Sequence, residues 1–517
     1  MSRNTRREFL ADVGRGMLLA GLGTELAAEL GLSTLEAAEP TGSLDFGHLE
    51  PLVSLMQETP PEKLTARLVE KIQAGTDLKT LVAAGALANA RTFGGHDYVG
   101  FHTFMALAPS YYMAQALPSE QRPLPVLKVL YRNANRIQEF GGRSEERLRP
   151  VRAEPIPQDA PHGHYLREMS RTGDIARADQ TFATMSDAPI GEAFNHLQFA
   201  LQDEVDVHRI VLAWRAWDTR SLAGDEWGHL LLRQSVHYCA NSERRMIEKN
   251  RSRSDIRSLL PRLFDEYSLA GRTPGNRVGD DAWLQELADV IFRGSRAEAA
   301  EAVAAALSEG YSPESIGEAM SLAANRLVLH DPGRSERAAD EARPVGSVHG
   351  ASVGVHASDA ANAWRNIARV SNARNVMAGM IVGAFHTAGQ VGRVNDDPFP
   401  TEEQLAGVQT ADAGTLLHET EAAIRSKDQF RAAALISHYG QQEFDPQPVF
   451  NLMLKFATSE DGALHAEKYY QTVTEEYANI RPAFRWGQLV ALARVTASQY
   501  GFRSDGYEQA KDLLKLS

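Results

Sequence analysis

An all-α fold, organised as two related helical halves in a helical array or α/α toroid, is predicted by three features of the 517-residue chain. Apolar residues recur at i, i+3 and i+4 along most of its length, which is the period of a half-buried helix. Runs alternating with period two, the mark of strands, are not seen. One stretch of the first half also realigns on the second half without a gap, as internal repeats do.

Taken in chain order, "LTARLVEKIQAG" (64–75) and "LKTLVAAGALANA" (78–90) are the first clear helices, rich in strong helix formers. "RAEAAEAVAAALSEG" (296–310) and "PESIGEAMSLAANRLVL" (313–329) follow the same pattern in the second half. Gly75 and Gly310 stand where helices should stop, and Ser312 followed by Pro313 offers an N-cap with proline at the first helical position. The proline- and glycine-bearing stretches 149–163, 270–281 and 392–403 read as loops. The middle one marks the boundary between half 1 (39–275) and half 2 (276–517), with 1–38 set apart as an export segment.

At an offset of 235 residues, 49–91 lies on 284–326. Leu49/Leu284, Leu52/Leu287, Gly75/Gly310, Leu87/Leu322, Ala88/Ala323 and Arg91/Arg326 coincide. Beyond this block both halves carry V-G-x-H, at 99–102 and 353–356, and the charged insertion 330–344 accounts for their larger offset. A weaker echo pairs "RQSVHY", ending at Tyr238, with "ALISHY", ending at Tyr439.

Recurrence turns the 16 histidines into a candidate site. A single histidine is commonly a packed or surface residue, whereas histidines at matching repeat positions are what an imidazole-lined pocket requires. His96, His102, His229, His356 and His465 are the candidate metal ligands, with His102 and His356 the expected cofactor-binding pair. His349 precedes His356 by seven and would share its face on a continuous helix. His96 can converge with His102 only from the Gly94-Gly95 turn before the helix. Glu226 and His229 form one Glu-x-x-His step, of which a di-iron bundle needs two. His386 lies on a strongly apolar helix. Tyr98, Tyr238 and Glu226 are the candidate proton donors and acceptors. "GASVG" (350–354) fits G-x-S-x-G, but that motif works at a strand-to-helix turn on a parallel sheet, and no such sheet is expected.

The first residues, "NTRREFLADVGRGMLLAGLG", resemble a twin-arginine export signal through Arg6-Arg7 and Phe9-Leu10, with Ala37-Ala38 the best cleavage site. The resemblance implies passage through the twin-arginine translocon and a periplasmic or otherwise exported protein. A net charge of −13 argues against nucleic acid or an anionic membrane as partner. No later stretch has the length and apolarity of a membrane span, so none is expected in the mature chain. Cys239, the single cysteine, excludes intrachain disulfides, C-x-x-C-H haem attachment and multi-cysteine clusters.

His96, Asp97 and His102, leading into "TFMALAPSYY", show the spacing H-(D/N)-x4-H and faintly resemble the histidine-rich helix of questin oxidase-like proteins. Those are all-α proteins whose characterised member inserts oxygen into an anthraquinone ring; Tyr98 stands where a further histidine of that cluster would be. The chain also looks similar to exported helical proteins without an assigned reaction. The expectation is an exported enzyme with a histidine-lined pocket, performing redox or oxygen chemistry on a small-molecule substrate. Its cofactor would be a metal ion (iron or zinc) or a non-covalent haem. A helical-repeat binding module, or a histidine-based hydrolase or lyase, are the alternatives.

Overall fold

The computed structural model describes residues 42–516 apart from 349, 351, 410 and 411. The stretch expected to be an export segment, with Arg6, Arg7 and the Ala37-Ala38 site, and also His349, lie outside the described residues. Within them the chain is all-α, with two isolated bridges, Arg277 to Tyr311 and Glu460 to Arg503, as its only extended pairings. No described helix is long and apolar enough to cross a membrane.

The first half contributes α1 (Glu50–Glu58), α2 (Pro61–Gln73), α3 (Leu78–Phe93), α4 (Tyr98–Gln115) and α5 (Pro123–Phe140). It continues with α6 (His162–Arg171), α7 (Ile175–Ala183), α8 (Ile190–Leu201), α9 (Val207–Ala223), α10 (Gly228–Glu248) and α11 (Ile256–Glu266). The second half opens with α12 (Asp281–Arg293), α13 (Arg296–Ser308), α14 (Pro313–Leu329), α15 (Val353–Ala368) and α16 (Ala373–Thr387). After these come α17 (Glu402–Ala406), α18 (Ala413–Arg425), α19 (Gln429–Gln441), α20 (Gln447–Ser459), α21 (Ala466–Asn479), α22 (Trp486–Ser498) and α23 (Asp505–Leu513).

Local chemistry sets the boundaries. Asp77, Asp97, Ser295, Ser312 and Ser352 each accept a backbone N–H at the start of α3, α4, α13, α14 and α15, occupying donors that a helix end leaves unpaired. Gly75 and Gly310 end α2 and α13 at φ +99° and +84°, a conformation that favours glycine. The insertion 330–344 forms no α-helix, only a short 3-10 turn at Glu336–Ala338. Ser352, the serine of "GASVG", is the α15 cap, so its hydroxyl is committed to the Val355 amide.

The V-G-x-H glycines have a packing reason. A Cβ on Gly354 would lie 2.5 Å from the Val328 backbone nitrogen, and one on Gly100 2.6 Å from the Phe93 ring. These glycines let α15 and α4 close onto α14 and α3, fixing how far each histidine-bearing helix stands from its neighbour. One apolar core runs from Phe46 to Ala388 across both halves and also takes in Ile480 and Ala510, and a second is built mainly from α18–α22. The 270–281 connection therefore divides the sequence without dividing the packing. α23 returns to pack on α2 and α5 of the first half.

Candidate functional site

Four helix beginnings meet at the centre of the molecule. α4 packs on both α9 and α21, and α15 packs on the same two helices. Each of the four opens with a histidine: His102 and His356 in the first turns of α4 and α15, His208 at the start of α9, and His465 just before α21.

The four imidazoles form a closed ring. Centroids of His102 and His208 are 4.8 Å apart, His208 and His356 5.5 Å, His356 and His465 5.2 Å, and His465 and His102 5.3 Å. Nε2 of His356 lies 3.1 Å from Nε2 of His465. On the other two rings Nδ1 is engaged with an oxygen: Tyr98 O for His102, at 2.8 Å, and Asp206 Oδ1 for His208, at 3.2 Å. A neutral ring that donates from Nδ1 carries its lone pair on Nε2, and both Nε2 atoms are buried without a hydrogen-bond partner among the described residues.

Neutral imidazole is the form this environment favours. Burial, with the charges of Lys468 and His208, holds His102 far below the ordinary histidine range. Burial and the same neighbours push His356 down to about 3. Positive helix N-termini act in the same direction. His386 on α16, depressed to about 4 by burial, is electrostatically coupled to His356 and His208.

Two further charged groups belong to the site. Lys468 sits one turn after His465 on α21, almost fully buried, and burial lowers its pKa to about 7 although Asp359 opposes the shift. Asp359, one turn after His356 on α15, is buried, accepts a hydrogen bond from Thr472 Oγ1 at 2.7 Å, and has a raised pKa. The α21 start is anchored from below. Lys128 and Glu467, both fully buried, pair at 2.7 Å, and Arg132 meets Asp461 at 2.6 Å.

The remaining expected site residues are spread out. Tyr98 is 53% exposed, with its ring 4.3 Å from His102 and 5.7 Å from His208, at the edge of the ring of imidazoles. Tyr238 donates from its hydroxyl to Asp206 Oδ2, so it reaches the ring only through the carboxylate that holds His208. Burial works to raise the Asp206 pKa, but bonds from His208 and Tyr238 hold it well below the ordinary carboxylate range. His96 belongs to a different cluster: its Nε2 is 3.3 Å from Nδ1 of His237, whose Nε2 is 2.9 Å from Asp179. Asp97 caps α4 and pairs with Arg136 at 2.6 Å, leaving it no part in the ring.

His229 and Glu226 correct the expectation of a shared pocket. The His229 ring stacks on Phe182 at 4.3 Å and its Nε2 bonds the Phe182 carbonyl at 2.9 Å, a packed histidine with its polar atom satisfied. Glu226 is exposed in the turn before α10. His208 takes the place His229 was expected to fill. A signal for it lay in the spacing: His208 follows His102 by 106 positions, and His465 follows His356 by 109.

As the side chains stand, no group of three or more His, Cys, Asp or Glu among the described residues is a ready ligand set for one ion. The arrangement offers instead four adjacent imidazoles, two of them with Nε2 atoms that have no hydrogen-bond partner among the described residues. Compared with protein-family models, with curated proteins and with solved structures, the chain matches none. No similarity to questin oxidase-like proteins is shown, and of the 96–102 stretch the ring takes up His102 alone.

Proposed function

We propose that the chain is an exported oxidoreductase whose centre is one transition-metal ion held by His102, His208, His356 and His465. The ring of imidazoles carries this reading. Two nitrogens bound to one ion at about 2.0–2.1 Å in tetrahedral geometry stand about 3.3 Å apart, and their ring centroids about 5 Å apart. The 3.1 Å Nε2 separation and the 4.8–5.5 Å centroid spacings fall close to both values. Binding one ion would require the rings to rotate from their present positions, in which no three of these side chains form a ready ligand set among the described residues.

Four nitrogen donors without a carboxylate or thiolate suit iron, copper, zinc or nickel. Imidazoles this close leave no gap for a macrocycle, so the reading favours a bare ion over haem. Chemistry on a substrate needs an open position, which three of the four histidines as ligands would leave. Hydrogen bonds from Nδ1 of His102 and His208 to oxygen orient those rings as supporting groups orient metal-ligating histidines. Lys468, poised near neutrality, can give or take a proton beside the centre.

Internal duplication fits the same reading. Arg91 pairs with Glu50 at 2.8 Å, and Arg326 bonds Gln285, the residue at the same offset of 235. His102 with His356, and His208 with His465, would then be equivalent ligands from two copies of one unit.

Metal quantification on the exported protein tests the function. The expected result is one transition-metal ion per chain, lost in His208→Ala and His356→Ala and kept in His229→Ala. Equal metal content in all four proteins would refute the assignment. A second reading, a metal-free acid–base site in a hydrolase or lyase, draws on Lys468 and Asp359 and would be favoured by full activity after chelation.

A further inference from the structure

Away from the ring, the chain builds a second concave site with the opposite electrostatic character from its acidic whole. A cavity of about 520 Å3 is lined by Arg147, Arg149, Arg152, Arg233 and Arg244, with His96 and His237, against only two aspartates. Both aspartates are committed. Asp174 caps α7 by accepting the Arg177 amide, and Asp179 is gripped by Arg233 Nε at 2.7 Å with His237 at 2.9 Å. Arg147, Arg149 and Arg152 make no ion pair among the described residues, while Arg244 donates to the neutral Asn241 Oδ1 at 2.8 Å and has one long ionic contact of 3.8 Å to exposed Glu248. The positive field reaches the floor: His96 is pushed down to about 3 by burial and then by His237, Arg147, Arg244 and Arg245.

A folded protein usually balances such a concentration of like charge or uses it. Guanidinium groups around a concave floor of imidazoles match the oxygens of phosphate or carboxylate groups, which accept several charge-assisted hydrogen bonds at once. A membrane surface or a long nucleic acid engages many charges along an extended face or groove, whereas these arginines line one compact cavity in a chain of net charge −13. The occupant that fits is a small polyanion.

We propose that the His96–His237 cavity is a binding site for a small molecule carrying more than one anionic oxygen group. Its place in the fold adds a role. His96 also lines an adjoining cavity of about 240 Å3 together with Asp206, Tyr238, Arg245, Lys249 and Arg251. Asp206 in turn holds His208. The basic cavity thus communicates, through His96 and then Asp206, with the ring. On the reading of the ring as a catalytic centre, anionic substrates are the class this path selects, but the binding site itself stands without that reading.

Calorimetric titration with inorganic pyrophosphate and with citrate, at pH 7 and 0.15 M salt, tests the proposal on the full exported chain. Saturable one-to-one binding is expected, weakened about tenfold or more by the Arg149→Gln/Arg244→Gln double variant. Arg503→Gln, on the remote surface, should leave it unchanged, and circular dichroism with metal content confirms that each variant is folded. No saturable binding of either anion would overturn the proposal. So would binding that survives the double variant, or that is abolished instead by Arg374→Gln in the separate cavity of Arg167, Arg171 and Arg257. Because metal content is read in parallel, loss of anion binding with the metal intact separates failure of this site from failure of the ring.

Discussion

His356 and His465 face each other through Nε2 atoms 3.1 Å apart, though 109 residues separate them in the chain. One proton can sit between two such nitrogens, but a metal ion can draw a lone pair from each. Replacing the buried His465 by alanine should cost the apo-protein about 1–3 kcal/mol in lost packing. The gain in stability on adding metal should disappear, about 2.7 kcal/mol at a concentration one hundred times the dissociation constant. Thermal unfolding with and without metal checks both halves of this statement.

Asp206 holds His208 and is itself held by Tyr238. Asp206→Asn removes the charged acceptor and should weaken metal binding about 10- to 100-fold. Tyr238→Phe acts one step further out and should cost less than Asp206→Asn. Competition with a chelator of known affinity ranks the two.

Acid should destabilise the metal-free protein through its buried imidazoles. Burial depresses His356 and His96 to about 3 and His386 to about 4, so between these values and the unfolded 6.5 the unfolded chain binds more protons. Stability is therefore present above about pH 6.5 and lost as pH falls through that window. Urea unfolding from pH 7 to pH 4 should show a falling midpoint, and His386→Phe should flatten the slope.

Lys468 behaves in the same sense at higher pH. Its folded pKa of about 7 lies below its unfolded 10.5, so its contribution rises with pH from about 7 to about 10.5. Lys468→Met, which removes the buried amine and keeps the stem, should raise stability at pH 7 by about 1–3 kcal/mol. Loss of turnover in that more stable protein would identify the amine as functional. Unfolding midpoints and activity are to be measured on the same preparation.

Gly354→Ala should disturb the ring from behind. The new Cβ meets the Val328 backbone at 2.5 Å, which forces α15 off α14 at a cost of about 1–3 kcal/mol. Gly191→Ala, with nothing within 4 Å, is the neutral control. Denaturant unfolding of the pair separates a steric effect from a general glycine effect.

Helix periodicity and caps were legible because they are local. Ser312 before Pro313 announces a helix start, and Gly75 and Gly310 announce stops. The V-G-x-H repeat pointed to His102 and His356 because each is fixed by a glycine two residues earlier. His465 was legible as a helix-opening histidine. His208 was missed because its neighbours, "EVDVHRI", show only that Asp206 caps a helix; its meeting with three other helix starts is a tertiary event. His229 misled because a Glu-x-x-His step looks the same whether its histidine faces a metal or stacks on Phe182. Lys468 reads as an ordinary surface lysine in "HAEKYY", and only burial by α15 and its neighbours gives it its character. The boundary at 270–281 is a connection between helices, yet apolar contacts ignore it, since a helix pattern shows which face is buried without saying against which half.

X-ray absorption at the metal edge of the loaded protein tests the central claim most directly. The account predicts a first shell of three or four imidazole nitrogens at about 2.0–2.1 Å, with the outer-ring scattering of histidine and at most one or two oxygens from water. Loss of that histidine signature in His208→Ala/His465→Ala would place the ion in the ring. A protein that takes up no transition metal, or one whose metal is surrounded by carboxylate oxygens and is unmoved by that double substitution, would contradict it.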